Sequence, residues 1–182
     1  LEAFDCNPLM YEYVLDKAWS SSLPDRPWTE AWADRRVGKA NNYNREAWQL
    51  LIDSVYPRPA ALGQAPLVNA RPTLNGHGNW TTNPAYHYDN AVLYNVWCTM
   101  LTAAKTNKRV TNAMAFDLVN IGRQYMSNRF MAMRDDFAEA YRRRAPKAAT
   151  ALGLRMETLL GQLDTLLTLH PYFSMQRWVD KA

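Results

Sequence analysis

Residues 110–144 read VTNAMAFDLVNIGRQYMSNRFMAMRDDFAEAYRRR, and this stretch decides the fold. Its apolar positions are Phe116, Val119, Ile121, Tyr125, Phe130, Met133 and Phe137, spread along a segment that no proline interrupts. They follow a helical rather than an alternating pattern. One long helix therefore runs from about Val110 to Arg144.

Working outward, the same reading extends in both directions. Pro146 opens a further helix carrying Leu152, Met156, Leu159, Leu160, Leu163, Leu166, Leu167 and Leu169. A short helix begins near Pro171 and runs past Trp178. Upstream, Asp89 or Asn90 caps a helix through Val92, Leu93, Val96, Trp97 and Leu101, which Lys105–Lys108 ends. Near the amino terminus, Asn7-Pro8 starts a helix that Ser20-Ser21-Ser22 and Pro24 stop. A second begins at Asp25–Pro27, places Trp28, Trp32 and Arg35 on one face, and closes at Gly38. Asn42 or Asn44 caps a third, with Ala47, Trp48, Leu51, Ile52 and Val55 as its apolar stripe. The fold expected is all-α: an irregular bundle of about seven helices in a single domain over residues 1–182. One long loop interrupts it, from Pro57 to Tyr88, with five Pro (57, 59, 66, 72 and 84) and Gly63, Gly76 and Gly78. Loops of that length in compact domains tend to be functional or disordered. Trp80, Tyr86 and Tyr88 argue for an ordered loop packed on the surface.

Composition narrows the function classes. With 48% hydrophobic and 21% charged residues, the 182-residue chain is a globular protein with a real core. No apolar run approaches the ~20 residues of a membrane span, and no signal peptide is visible. The net charge is +4, and the densest basic run, Arg142-Arg143-Arg144 beside Lys147, is interleaved with Asp135, Asp136 and Glu139. That is a solvated helix end, not the basic stripe of a nucleic-acid binder.

Self-contained chemistry is scarce. There is no Gly-rich phosphate loop, nucleophile elbow or zinc-spaced Cys pair. Cys6 and Cys98 read as free, buried thiols, with a disulfide as the alternative. His77 and His87 lie in the loop and His170 ends a helix, a scatter that suggests no metal site. No metal or organic cofactor is expected. Arg71, before Pro72 in an apolar loop, reads as a carboxylate clamp tying the loop to the bundle, with substrate binding as the alternative. Asp117 and Arg123 read as polar groups holding the long helix to its neighbours.

Several segments, taken in order, resemble the α-N-acetylglucosaminidases. Glu2-Ala3-Phe4-Asp5-Cys6-Asn7-Pro8-Leu9-Met10-Tyr11-Glu12 is similar to that family's Glu-Gly-Ile-x-x-Asn-x-Val-Val-Tyr stretch. Trp19 also matches. So do Trp-x-x-x-x-Ala-x-Arg-Arg at Trp28–Arg36, Ala47-Trp48, Ser54-Val55-Tyr56, Arg71-Pro72-x-Leu74, Trp80, and Asp117 with Arg123-Gln124. The resemblance implies a retaining exo-glycosidase that removes terminal α-linked N-acetylglucosamine, its catalytic barrel followed by an all-helical C-terminal domain that helps wall the cleft. By position Glu2 matches the nucleophile. Residues 1–7 are then the end of the barrel, Asn7 and Tyr11 are structural, and His77 and Trp80 approach the sugar.

The acid/base glutamate would lie on an earlier barrel strand, so the chain alone is expected to be inactive. Ala3 departs from the family's glycine. The expected partners are the preceding barrel of the same parent chain and a glycan ending in α-N-acetylglucosamine. The resemblance also implies a secreted, periplasmic or lysosomal setting. The rival class is a non-catalytic helical module that binds carbohydrate or protein through its aromatic loop.

Overall fold

The structure, a computed structural model, describes residues 7–19, 26–56, 74 and 88–180. Among these residues it contains helices, turns and no strand. The order is α1 (Pro8–Lys17), α2 (Arg26–Val37), α3 (Asn42–Ser54), α4 (Asn90–Lys105), α5 (Asn112–Arg142), α6 (Pro146–Thr168), a 3-10 turn (Pro171–Phe173) and α7 (Met175–Val179). The all-α bundle expected from the periodicity is what the chain forms. Except for Leu74 and Tyr88, the long loop lies outside the described residues. No helix among them is long and apolar enough to cross a membrane.

Side-chain caps set the helix starts. Asn7 accepts from the Met10 amide at 3.4 Å and Pro8 occupies the first turn. Asp89 caps α4 through the Ala91 amide, and Thr111 caps α5 through Met114. The cap of α3 is Asn41, one residue before the earlier of the two asparagines expected from sequence. Asn44 is unavailable because it is fully buried and donates to the Ala33 carbonyl at 2.7 Å. The turn between α2 and α3 needs a left-handed residue, and Gly38 supplies it at φ +83°. Asp34 holds that turn together. It accepts from the Asn41 amide and, bidentately, from Arg45 at 2.9 and 2.5 Å, and Arg45 keeps its carboxyl below the ordinary value.

The core lies where α3 packs against α2 and α4, with α5 on the far side of α4 and α6 on α5. Trp32 and Trp48 meet edge to face at 5.4 Å, and Trp28 stacks on Trp32 at 6.0 Å. Leu51, Leu93, Val96, Met100 and Met114 complete the interior. Fully burying each such side chain stabilises the fold by about 1.5–3 kcal/mol.

The leucines of α6 behave differently from those of the inner helices. Only Leu163 is buried, while Leu154, Leu160 and Leu169 face outward. α6 packs mainly on α5, so much of its surface stays open. Cys98, expected to be buried, is free and half-buried. Cys6 lies outside the described residues.

Two positions give tests. A Cβ on Gly122 would fall 2.7 Å from the Trp97 ring and 2.9 Å from Leu166, at the place where α4, α5 and α6 meet. Gly122→Ala is therefore expected to lower stability by about 1–3 kcal/mol through overpacking, despite alanine's better helix propensity. Urea denaturation measures it, and an unchanged midpoint would contradict the close approach.

The second is His170, which docks the C-terminal turn onto the start of α5. Its Nδ1 accepts from the Tyr172 amide at 3.2 Å, so Nε2 carries the proton and donates to Asn112 Oδ1 at 3.1 Å. Burial, and then the charge of Arg177, lower its pKa below 6.5. The unfolded chain thus takes up this proton first as pH falls. The contribution of His170 to stability is whole above pH 6.5 and lost on further acidification. The stability gap between wild type and His170→Ala should shrink from neutral pH to about 5 in thermal melts.

Candidate functional site

An arginine at the end of α2 organises the polar interior. Arg36 donates through Nε and Nη2 to Asp117 at 2.8 and 2.5 Å, and through Nη2 to the Ala113 carbonyl at 3.2 Å. Its guanidinium also lies over the Trp32 ring, 5.0 Å from the centroid. Asp117 is 2% exposed. Burial pushes its carboxyl up to about 6 against the opposing pull of Arg36, with Glu12 adding to the rise. At neutral pH the pair is therefore ionic, a buried charge neutralised by one partner. Arg35, one residue earlier, points outward to Glu12 on α1 at 3.0 Å.

Around this pair gather the chain segments that flank the long loop. Tyr56, just past α3, donates to Asn7 Oδ1 at 3.1 Å. Burial raises its pKa above the ordinary value, helped by the nearby Asp117 and Tyr88, so the phenol stays neutral and a donor. On the far side of the loop, Asn128 of α5 donates to the Tyr88 hydroxyl at 3.1 Å and to Asn90 Oδ1 at 2.9 Å. Gln124 donates to Asn128 in turn, at 3.0 Å. Hydrogen bonds thus join the residue before α1 to Tyr56, and Tyr88 and Asn90 to α5.

The residues singled out from sequence divide into two groups. Asn7 caps α1 and receives Tyr56, and Tyr11 stands half-buried one turn later. Asp117 joins α5 to α2. Arg123 instead donates to Asn120 of its own helix at 2.8 Å, and its Nε is buried with no hydrogen-bond partner among the described residues. Glu2, Arg71, His77 and Trp80 lie outside the described residues. Tyr56 and Arg36 carry no role in the sequence reading beyond membership in a motif, and Asn128 is absent from it. The available signal for Asn128 was an asparagine deep inside a long helix, a poor helix former that is kept there by side-chain hydrogen bonds.

Two open clefts among the described residues have no carboxylate in their lining. One, about 630 Å³, runs between α5 and α6 past Tyr125, Met133, Arg155 and Leu159; another, about 660 Å³, lies near Lys39, Lys108 and Arg109. Among the described residues no group of three or more His, Cys, Asp or Glu could hold a metal.

The fold and these contacts define an all-helical domain in which buried polar groups join α2 to α5 and hydrogen bonds hold Asn7, Tyr56 and Tyr88. Residues 28–182 match the family described as the alpha-N-acetylglucosaminidase (NAGLU) C-terminal domain, and the chain belongs to that family. A solved structure of CpGH89 from Clostridium perfringens is similar in fold, with a TM-score of 0.85 at 24% identity. That protein, with two glutamates changed to glutamine, was captured in complex with its substrate GlcNAc-α-1,4-galactose. The match covers 97% of this chain and 20% of that one, so the chain spans about a fifth of the length of its structural relative. No curated protein matches the sequence.

The Arg36–Asp117 pair yields a direct test. Arg36→Ala strands a buried carboxylate and is expected to cost about 3–5 kcal/mol in denaturant unfolding at neutral pH. Arg35→Ala, which breaks an exposed pair, should cost under about 1 kcal/mol. Equal effects would contradict the assignment.

Proposed function

We propose that this chain is the C-terminal helical region of a retaining exo-glycosidase that removes terminal α-linked N-acetylglucosamine. It would buttress the catalytic barrel of its parent and wall the substrate cleft. Membership of residues 28–182 in the NAGLU C-terminal domain family carries this reading.

Retaining hydrolysis uses two carboxyl groups about 5 Å apart. In this proposal Glu2 is the nucleophile. Its carboxylate attacks the anomeric carbon while an acid from an earlier barrel strand protonates the departing glycosidic oxygen. Water, deprotonated by the conjugate base of that acid, then releases the sugar and frees Glu2. Asn7 follows Glu2 by five residues in sequence and is held by Tyr56, which supports a role in positioning the nucleophile's segment. Tyr11 would steady the same helix. His77 and Trp80 would contact the sugar from a loop that Arg71 ties down and whose borders Tyr56 and Tyr88 fix.

The substrate class is a glycan ending in α-linked N-acetylglucosamine, as in the disaccharide bound by CpGH89. Carbohydrate breakdown in a secreted, periplasmic or lysosomal setting goes with this reading. No metal or organic cofactor takes part in it. Without the acid partner the chain alone is inactive.

Hydrolysis of a chromogenic α-N-acetylglucosaminide by the full-length parent tests the proposal. Glu2→Ala is expected to lower kcat by at least about 10³-fold with the fold intact. An active parent indifferent to that change would remove Glu2 from the mechanism. An inactive parent would favour a non-catalytic carbohydrate- or protein-binding module.

A further inference from the structure

The hairpin of α5 and α6 holds a groove whose two halves differ in character. Its register follows from two glycines. A Cβ on Gly122 would meet Leu166, and one on Gly153 would meet the Phe137 ring at 3.7 Å. The helices therefore run antiparallel, with 122 beside 166 and 137 beside 153. The cleft between them, about 630 Å³, has the size of a small-molecule site. Trp97 and Tyr125, with ring centroids 6.1 Å apart, line the half near Leu166, and Met126 adds to that apolar wall. The other half carries Arg129 of α5 and Arg155 of α6, both exposed. In this register Arg155 lies near the level of residues 133–135, so the two positions stand about 6–9 Å apart along the axis.

These arginines lack counter-charges. No carboxylate lines the cleft, and neither arginine makes an ion pair or side-chain hydrogen bond among the described residues. Neither has an acidic residue three or four positions away on its own helix, the spacing at which surface charges pair. Arg142 and Arg143, by contrast, share Glu139. The remaining polar groups suit an anion better than a sugar. The hydroxyls of Thr158 and Thr165 already donate to the Leu154 and Gly161 carbonyls of their own helix, at 2.8 and 2.9 Å. A neutral glycan would find few hydrogen-bond partners here, whereas an anion would meet two guanidinium groups with donors to spare.

We propose that this groove binds a single-chain anionic amphiphile, its chain lying along Trp97, Tyr125, Met126 and Leu166 and its head group between Arg129 and Arg155. The chain leaves water against an aromatic wall, and the head group supplies the missing counter-charge. This inference does not rest on the glycosidase reading.

Isothermal titration of the full-length parent with sodium dodecanoate, kept below its micelle concentration, tests it. Saturable one-site binding is expected, weakened at least about tenfold in the Arg129→Gln/Arg155→Gln double variant. Both side chains are exposed and unpaired, so these changes leave the hairpin packed, and an unchanged urea midpoint verifies that. Dodecyl maltoside, with the same chain and a neutral head, should bind the wild-type protein at least about tenfold more weakly than dodecanoate does. Failure of dodecanoate to bind would overturn the proposal. Equal affinity in the double variant, or for the neutral amphiphile, would overturn it as well.

Discussion

One guanidinium holds the structure together. Arg36 sits with a tryptophan ring on one side and a buried carboxylate on the other, and it also reaches the Ala113 carbonyl of α5. A charge so placed is costly to desolvate and is tolerated because its Nε and Nη2 hydrogens all find acceptors, two of them on the buried carboxylate. That requirement fixes α2 against α5 in both position and rotation. It also explains a neighbouring detail: Thr111, which caps α5, donates its hydroxyl to the Arg36 carbonyl, so the start of the longest helix is tied to the residue that anchors its side.

From this anchor the polar contacts spread to α1 and to the end of α3. Glu12 lies in the field of Asp117 and pairs with Arg35, while Tyr56 joins Asn7 to the same region. The interior is therefore divided in kind. Trp32, Trp48 and the α3–α4 seam form the apolar core, and hydrogen-bonded polar groups hold Asn7, Tyr56 and Tyr88. Such groups add directional constraint that apolar contacts lack.

Much of the architecture was legible from residue order. Asn7-Pro8, Gly38, Asp89 and Pro146 mark helix ends because caps and prolines act within a few residues of themselves. The start of α3 was misplaced by a residue because Asn41, Asn42 and Asn44 are equivalent as caps until a tertiary contact removes one of them. Burial of Asn44 against Ala33 did so. The leucines of α6 mark an apolar face, yet only Leu163 is fully buried and most of the others are half-buried, since periodicity reports a helix's apolar face without reporting how completely its neighbours cover it.

The candidate site was legible in part. Asp117 stood out as a polar residue in an apolar run, but its partner could not be chosen among 21 Lys and Arg by spacing alone. Asn128 and Tyr88 meet across 40 positions of chain, a pairing no local rule contains. By itself, then, the sequence determined the helices, their order and the family to which the chain belongs, because propensity, capping and motif order are properties of neighbouring residues. Only the tertiary structure decided which charges are buried together, and which asparagine caps and which anchors. Those outcomes depend on which distant surfaces meet, and burial is a property of the assembled chain.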